Sequence, residues 1–352
     1  MDIGLRRAAV AADRYRLYQA DTQVRPAPFR QGGTTVSLDK LKQIVTDVLK
    51  DVDVVIGYKQ GFDPLHATPC FVTKPEQVDQ IIWNPLCVQN LASFLPSLKK
   101  KVAVVVKGCD SRTIVQYMQE GLIDRTKVVV IGIPCTGVVS VKKILDKVKH
   151  ESIEEVKFGE DGTITVKTPS GETKMALSEV EPDKCGTCLY PTPIVYDHLA
   201  GEPIASTKDP QSVFKDVEEF DKKSLEEKKA YWEKEFDRCI RCYACRNACP
   251  MCVCQDSCIA ESREPHWISQ KSNLTEKTMF HMIHALHLAG RCVECGECER
   301  VCPMGIPVNK LKKKINSDMK AIFGYEPGVK PEDKPPMFTF SVEEKNIEEH
   351  KL

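Results

Sequence analysis

The sequence predicts an α/β N-terminal domain built on a mostly parallel sheet, followed by a mainly α-helical domain. Three observations carry this. Two short runs, VAVVV (102–106) and VVVIGI (128–133), are apolar at every position, as strands are when both faces of their sheet are covered. A helical stretch from Ser111 to Glu120 separates them, so the connection reads as a crossover between parallel neighbours. Farther on, one cysteine pattern occurs twice. The insert between its copies, LTEKTMFHMIHALHLAG, has Met279, Phe280, Ile283, Leu286 and Leu288 at helical spacing and Gly290 as a cap. A length of 352 residues suits two such cores.

Residues 1–35 mix charges with two prolines and the Gly32-Gly33 pair, and read as an arm or partner-docking segment. The α/β domain spans 36–205. It opens with SLDKLKQIVTDVLKDV, apolar at Leu38, Leu41, Ile44, Val45, Val48 and Leu49 after Ser37 as N-cap. DVVIGY is a short β-branched run; VDQIIW continues the alternation, and LCVQNLASFLPSL reads as helical. Ligands of parallel sheets gather at the carboxyl ends of strands, and VAVVVKGC and VVVIGIPC place Cys109 and Cys135 there. Residues 151–180 read as a hairpin excursion turning at Asp161-Gly162 and Ser170-Gly171. The loop EPDKCGTCLYPTP then carries Cys185 and Cys188. A charged linker, partly helical, spans 206–234; the helical domain spans 235–325, and a tail rich in proline and charge spans 326–352.

The 50 Lys+Arg balance 50 Asp+Glu, which argues against nucleic acid or an anionic membrane as the main partner. No run of about 18 uncharged apolar residues occurs, so no membrane span is expected. The opening MDIGLRRAAVAADRYRLYQA is too charged for a secretory signal. A cytoplasmic, reducing setting is the expectation, in which the 17 cysteines mean metal or redox chemistry before disulfides.

The repeat is CIRCYACRNACP at Cys239, Cys242, Cys245 and Cys249, and CVECGECERVCP at Cys292, Cys295, Cys298 and Cys302. This C-x-x-C-x-x-C-x-x-x-C-P spacing is that of bacterial ferredoxins holding two [4Fe–4S] clusters. Three closely spaced thiolates reach three corners of one cubane, while the fourth cysteine and its proline turn toward the other. The expected ligand sets are therefore crossed: Cys239, Cys242, Cys245 and Cys302 on one, Cys292, Cys295, Cys298 and Cys249 on the other. Zinc also uses C-x-x-C, but favours two separated pairs over a repeated triplet. The copies lie too far apart for a minimal ferredoxin, and the helical insert resembles the α-helical ferredoxin domains of succinate dehydrogenase and heterodisulfide reductase subunits. His281, His284 and His287 read as structural or surface residues, because thiolates already complete both clusters. Cys252, Cys254 and Cys258 could join a distant thiol in another cluster or pack beside this one; the second reading is preferred. Cys70 and Cys87 read as core residues, and Arg238, Arg241 and Arg246 as solvated charge.

The segment KVAVVVKGCDSRTIVQYMQEGLIDRTKVVVIGIPCTG resembles the core of the coenzyme F420 hydrogenase/dehydrogenase beta-subunit family, known also as formate dehydrogenase beta subunits. The likeness covers roughly 36–205. It matches Cys109 in KGCD, Cys135 in GIPC, and Cys185 and Cys188 in KCGTC, with Asp197 and Gly201 behind them. It implies a third [4Fe–4S] cluster on those four cysteines. Members that reduce F420 carry FAD, for which this chain offers only QGGTTVSLDKL, and no G-x-G-x-x-G follows a strand to support a nicotinamide unit.

The resulting expectation is an iron–sulfur electron-transfer subunit of a multisubunit anaerobic oxidoreductase: a hydrogenase, a formate dehydrogenase or a heterodisulfide-reductase-like complex. Its partners would be other redox subunits, with bond-making catalysis left to a partner or a bound flavin. The alternative is a flavin-containing beta subunit exchanging hydride with F420 or another soluble carrier.

Overall fold

The computed structural model describes residues 37–159, 161–254, 257–261 and 267–340. The arm at 1–35, with Gly32-Gly33, and the end of the tail at 341–352 lie outside the described residues.

Ser37 caps α1 (Leu38–Val48) by accepting from the Lys40 N–H, and Leu41, Val45 and Val48 turn inward. β1 (Val54–Gln60) follows, then β2 (Ala67–Val72), β3 (Val102–Val106), α2 (Gly108–Gln119) and β4 (Val128–Gly132). α3 (Val141–Lys147) is capped by Ser140. β5 (Glu155–Phe158), β6 (Thr163–Thr168) and β7 (Gly171–Ala176) form a separate antiparallel sheet, turning where Asp161-Gly162 and Ser170-Gly171 predict. β8 (His198–Leu199) returns to the main sheet, whose order is β2-β1-β3-β4-β8. All neighbours in it are parallel except β2, which pairs antiparallel with β1. Every residue of β3 is buried, as its unbroken apolar run requires.

Two local readings change. VDQIIW supplies no strand: Pro75–Gln80 is a 3-10 turn, and LASFLPS (Leu91–Ser97) is a 3-10 helix rather than an α-helix, with Pro96 inside it. β2 was hidden by Pro69, which an edge strand tolerates because its unpaired side needs no N–H.

The helical part comprises α4 (Lys215–Asp221), α5 (Leu225–Asp237), α6 (Leu274–Leu286) and α7 (Val308–Phe323), with one-turn helices at Ala244–Asn247 and Glu297–Arg300. α4 and α5 lie in the stretch read as a charged linker; they pack on α7 and α6 respectively. α6 presents a different face from the one its apolar spacing suggests. Met279 and Leu286 point outward, while Lys277, Phe280, His281 and His284 are buried.

The two parts share one core: Met251, Leu288 and Cys292 join the buried cluster of the sheet. Polar contacts fasten them. Tyr117 Oη donates to the Pro250 carbonyl at 2.7 Å, Arg291 Nε to Glu120 at 2.8 Å, and Arg112 to the Pro327 carbonyl at 2.8 Å. The start of the tail therefore lies along α2. Among the described residues, no helix is long and apolar enough to cross a membrane.

Candidate iron-sulfur sites

Cys109, Cys135, Cys185 and Cys188 line one cavity of about 630 Å³. Backbone contacts bring the C-x-x-C loop onto the two strand ends. Cys135 N–H donates to the Pro191 carbonyl at 2.8 Å, and Ile194 N–H to Ser111 Oγ at 2.8 Å. Gly108 is obligatory beneath the loop, because a Cβ there would lie 1.6 Å from the Tyr190 carbonyl oxygen. Asp197 clamps the far end of the loop to β4: its carboxylate accepts the Val130 N–H at 2.7 Å and pairs with Arg125 at 2.6 Å.

The β3–α2 turn that carries Cys109 is pinned by a buried cation. Lys107 Nζ donates to Tyr58 Oη at 2.6 Å and to the Gln89 carbonyl at 2.8 Å, and pairs with Asp110 at 2.8 Å. Sequence reading missed this network because Lys107 looks like an ordinary loop lysine.

The two cysteine repeats adopt the same backbone. Arg241 and Tyr243 in the first have φ of 51° and 59°, and Glu294 and Gly296 in the second have 55° and 71° at the corresponding positions. Left-handed residues at these two places bend both loops in the same way. Amide donors already point at sulfur: Arg241 N–H reaches Cys239 Sγ at 3.3 Å, and Ile306 N–H reaches Cys302 Sγ at 3.4 Å. Among the thiols, Cys302 acts on Cys239 and Cys245, and Cys249 acts on Cys292, Cys295 and Cys298, while Cys298 also acts on Cys245 across the two sets.

Burial, with nearby thiols and carboxylates adding to it, disfavours ionisation of several of these thiols. Cys135, Cys245 and Cys292 are pushed up to about 12, Cys298 to about 11, and Cys109 is raised well above the usual thiol range. Buried thiols whose ionisation is disfavoured suit a resident cationic iron core, whose charge would offset that penalty. N–H···S donors beside such thiols are also what a [4Fe–4S] cluster asks of a protein.

Cys252 and His284 sit beside Cys249, with ligand atoms of the three within 4.8 Å of one another. Cys252 Sγ is 3.3 Å from His284 Nε2, and the hydrogen bond from Cys252 holds the Cys249 thiol well below its usual range. Cys252 thus packs next to a candidate ligand. Cys258 hydrogen-bonds Arg246, and Cys254 is exposed. Cys70 and Cys87 are buried in the sheet core.

His281 stacks on Phe236 at 4.5 Å and 8°, and His287 is exposed. Two arginines are not solvated charge. Arg241 is buried, donating to the Ser269 and Lys271 carbonyls at 2.6 and 2.7 Å, and Arg246 pairs with the buried Glu261 at 3.0 Å. Both brace the first cysteine loop. Arg238 remains partly exposed and donates to the Met304 carbonyl at 2.7 Å.

Residues 99–254 match the family formed by the C terminus of the coenzyme F420 hydrogenase/dehydrogenase beta subunit. Residues 238–307 match the 4Fe-4S dicluster domain, which is fused behind it. The F420-dependent formate dehydrogenase subunit beta of Methanocaldococcus jannaschii is 27% identical over 356 residues, covering 82% of this chain and 90% of the relative. The F420-dependent formate dehydrogenase 1 subunit beta of Methanococcus maripaludis is also 27% identical, over 352 residues, covering 81% and 88%. A solved chain from the F420-reducing [NiFe] hydrogenase complex of Methanosarcina barkeri, studied by xenon derivatization, has 19% identity and a TM-score of 0.34. That alignment spans 44% of this chain and 62% of the solved one.

Proposed function

We propose that this chain is an iron–sulfur electron-transfer subunit of a cytoplasmic, multisubunit oxidoreductase in an anaerobe, working beside the catalytic subunit of a formate dehydrogenase or related hydrogenase. The observation that supports the reading is a pair of cysteine repeats of matching backbone beside a cavity lined by Cys109, Cys135, Cys185 and Cys188. Cys239, Cys242, Cys245 and Cys302 would hold one cluster, and Cys292, Cys295, Cys298 and Cys249 a second. Cys109, Cys135, Cys185 and Cys188 would hold a third. Bound clusters would supply one-electron oxidation and reduction. The chain's own part is to hold the thiols in place, exclude water by burial and set potentials through amide and ammonium groups.

The names of the curated relatives favour the formate dehydrogenase assignment. A flavin-containing version of the same subunit, exchanging hydride with F420 or another soluble carrier, draws support from the cavity. Besides the four thiols, its wall includes Arg112, Lys208 and Lys310, cations suited to the phosphates of a dinucleotide.

Iron and acid-labile sulfide analysis of anaerobically purified protein tests the reading. About twelve irons per chain are expected for three cubanes. Zinc without sulfide would overturn the proposal. A flavin absorbance spectrum of the same sample decides whether the cavity carries flavin.

A further inference from the structure

Two lysines occupy the gaps between neighbouring thiol sets. Lys312, on α7, is 1% exposed, and its Nζ lies 3.5 Å from His284 Nε2, beside Cys252 and Cys249. The thiols of Cys298, Cys249 and Cys292 and that of Cys245 lie within its electrostatic reach. Cys298 packs in one buried cluster with Cys239 and Cys245, while Cys249 and Cys292 pack around the sheet core with Cys135 and Cys185. Lys184 lies in the second gap. Its Nζ donates to the Cys295 carbonyl, and its stem lies over Gly296 so closely that an added Cβ would meet Lys184 Cδ at 2.8 Å. The next residue is Cys185, in the wall of the cavity with Cys109, Cys135 and Cys188. Glu297, a carboxylate that acts on Lys184, is already held by Arg300 through bonds of 3.0 and 2.7 Å.

We propose that Lys184 and Lys312 are positioning residues that order the electron path, with the Cys249–Cys292–Cys295–Cys298 site as the middle station between the Cys239 site and the Cys109 site. The inference rests on the cluster reading above. Lys312 faces the Cys239 and Cys249 sets, and Lys184 faces the Cys249 and Cys109 sets, so only the middle set touches both. A fixed ammonium beside a cluster favours its reduced, more negative form and raises its potential. Each hop oxidises one station and reduces the next by one electron, with no bond made or broken. The first electron comes from a one-electron donor on a partner subunit, and the last passes to a one-electron acceptor beyond the opposite end. Cys242 is the exposed thiol at the Cys239 end, and the open cavity forms the other end.

The test is an EPR-monitored redox titration of the full-length protein, with Cys242→Ser and Cys185→Ser variants used to assign the two terminal signals. Lys312→Met should move the potentials of the Cys239 and middle clusters to more negative values and leave the Cys109 cluster in place. Lys184→Met should move the middle and Cys109 clusters and leave the Cys239 cluster in place. Lys184→Arg and Lys312→Arg, which keep the charge, should restore values close to the parent. If a methionine variant loses iron, the glutamine variant at the same position, neutral and of similar length, gives the reading instead. With iron content at the parent level, unmoved potentials in both lysine variants, or a shift of the Cys239 signal in Lys184→Met, would overturn the ordering. Absence of iron and sulfide from the parent protein is a separate result, and sinks the cluster reading itself.

Discussion

Lys107 and Asp110 are each 1% exposed and hold one another at 2.8 Å, directly before and after the Gly108-Cys109 turn. Removing one charge leaves the other buried and uncompensated, a cost of about 3–5 kcal/mol, whereas removing both costs less. Lys107→Met should therefore lower the urea midpoint sharply, and Lys107→Met/Asp110→Asn should recover part of the loss. A second prediction concerns His281, 2% exposed between Phe236 and Phe280, where burial, with His284 and Lys312 adding to it, holds its pKa at about 3 instead of 6.5. The unfolded chain takes up this proton below pH 6.5 and the folded chain does not. Stability is thus full above pH 6.5 and falls as pH drops toward 3, by about 1.4 kcal/mol per unit for a single group. Urea unfolding between pH 7 and pH 5 should show a shallower loss in His281→Leu than in the parent; equal slopes would refute the assignment.

At the level of elements, the cavity exists because the C-x-x-C loop lies directly on the β3–α2 turn. Gly108→Ala discriminates between local propensity and this tertiary contact. Alanine favours a helix over glycine by about 1 kcal/mol, yet its Cβ would collide with the Tyr190 carbonyl. The loop must lift, taking Cys188 with it, so the variant should retain the dicluster irons and lose about one cluster's worth. Cys185→Ser should lose the same fraction, and iron analysis of both variants checks this. The short positive-φ segments obey a similar logic. Glycine stands at only one of the four left-handed positions in the repeats; Arg241, Tyr243 and Glu294 accept the strain at the others. The buried Arg241 repays it through bonds to Ser269 and Lys271 carbonyls.

The described residues are fastened by a core that crosses from the sheet to the dicluster part. Leu288 is 1% exposed and belongs to the cluster that includes the strands. Leu288→Ala should cost about 2–5 kcal/mol. The loss should appear equally in far-ultraviolet circular dichroism and in cluster absorbance, because both parts unfold together. Separate transitions by the two probes would show that the parts are independent. In the proposed function, a shared core would hold the cysteine repeats and the cavity at fixed spacing.

The strands β3 and β4, the parallel sheet and the dicluster spacing were legible in the residues, because each depends on a local period: continuous apolar runs, or thiols at fixed steps along one loop. Resemblance was needed to join Cys109 and Cys135 to Cys185 and Cys188, since spacings that wide carry no local geometry. The sequence misled where a neighbour overrode local pattern. Pro69 hid an edge strand, Pro96 lies in a tightened helix, and α6 buried histidines and a lysine in place of Met279 and Leu286. By itself, then, the sequence determined the kind of chemistry: thiol sets on an α/β and a helical scaffold. Only the tertiary structure decided that Lys184 and Lys312 lie in the gaps between those sets and that Lys107 anchors one of them. A lysine's charge is written in the chain, but burial and distance decide what that charge acts on, and both come from residues far away in sequence.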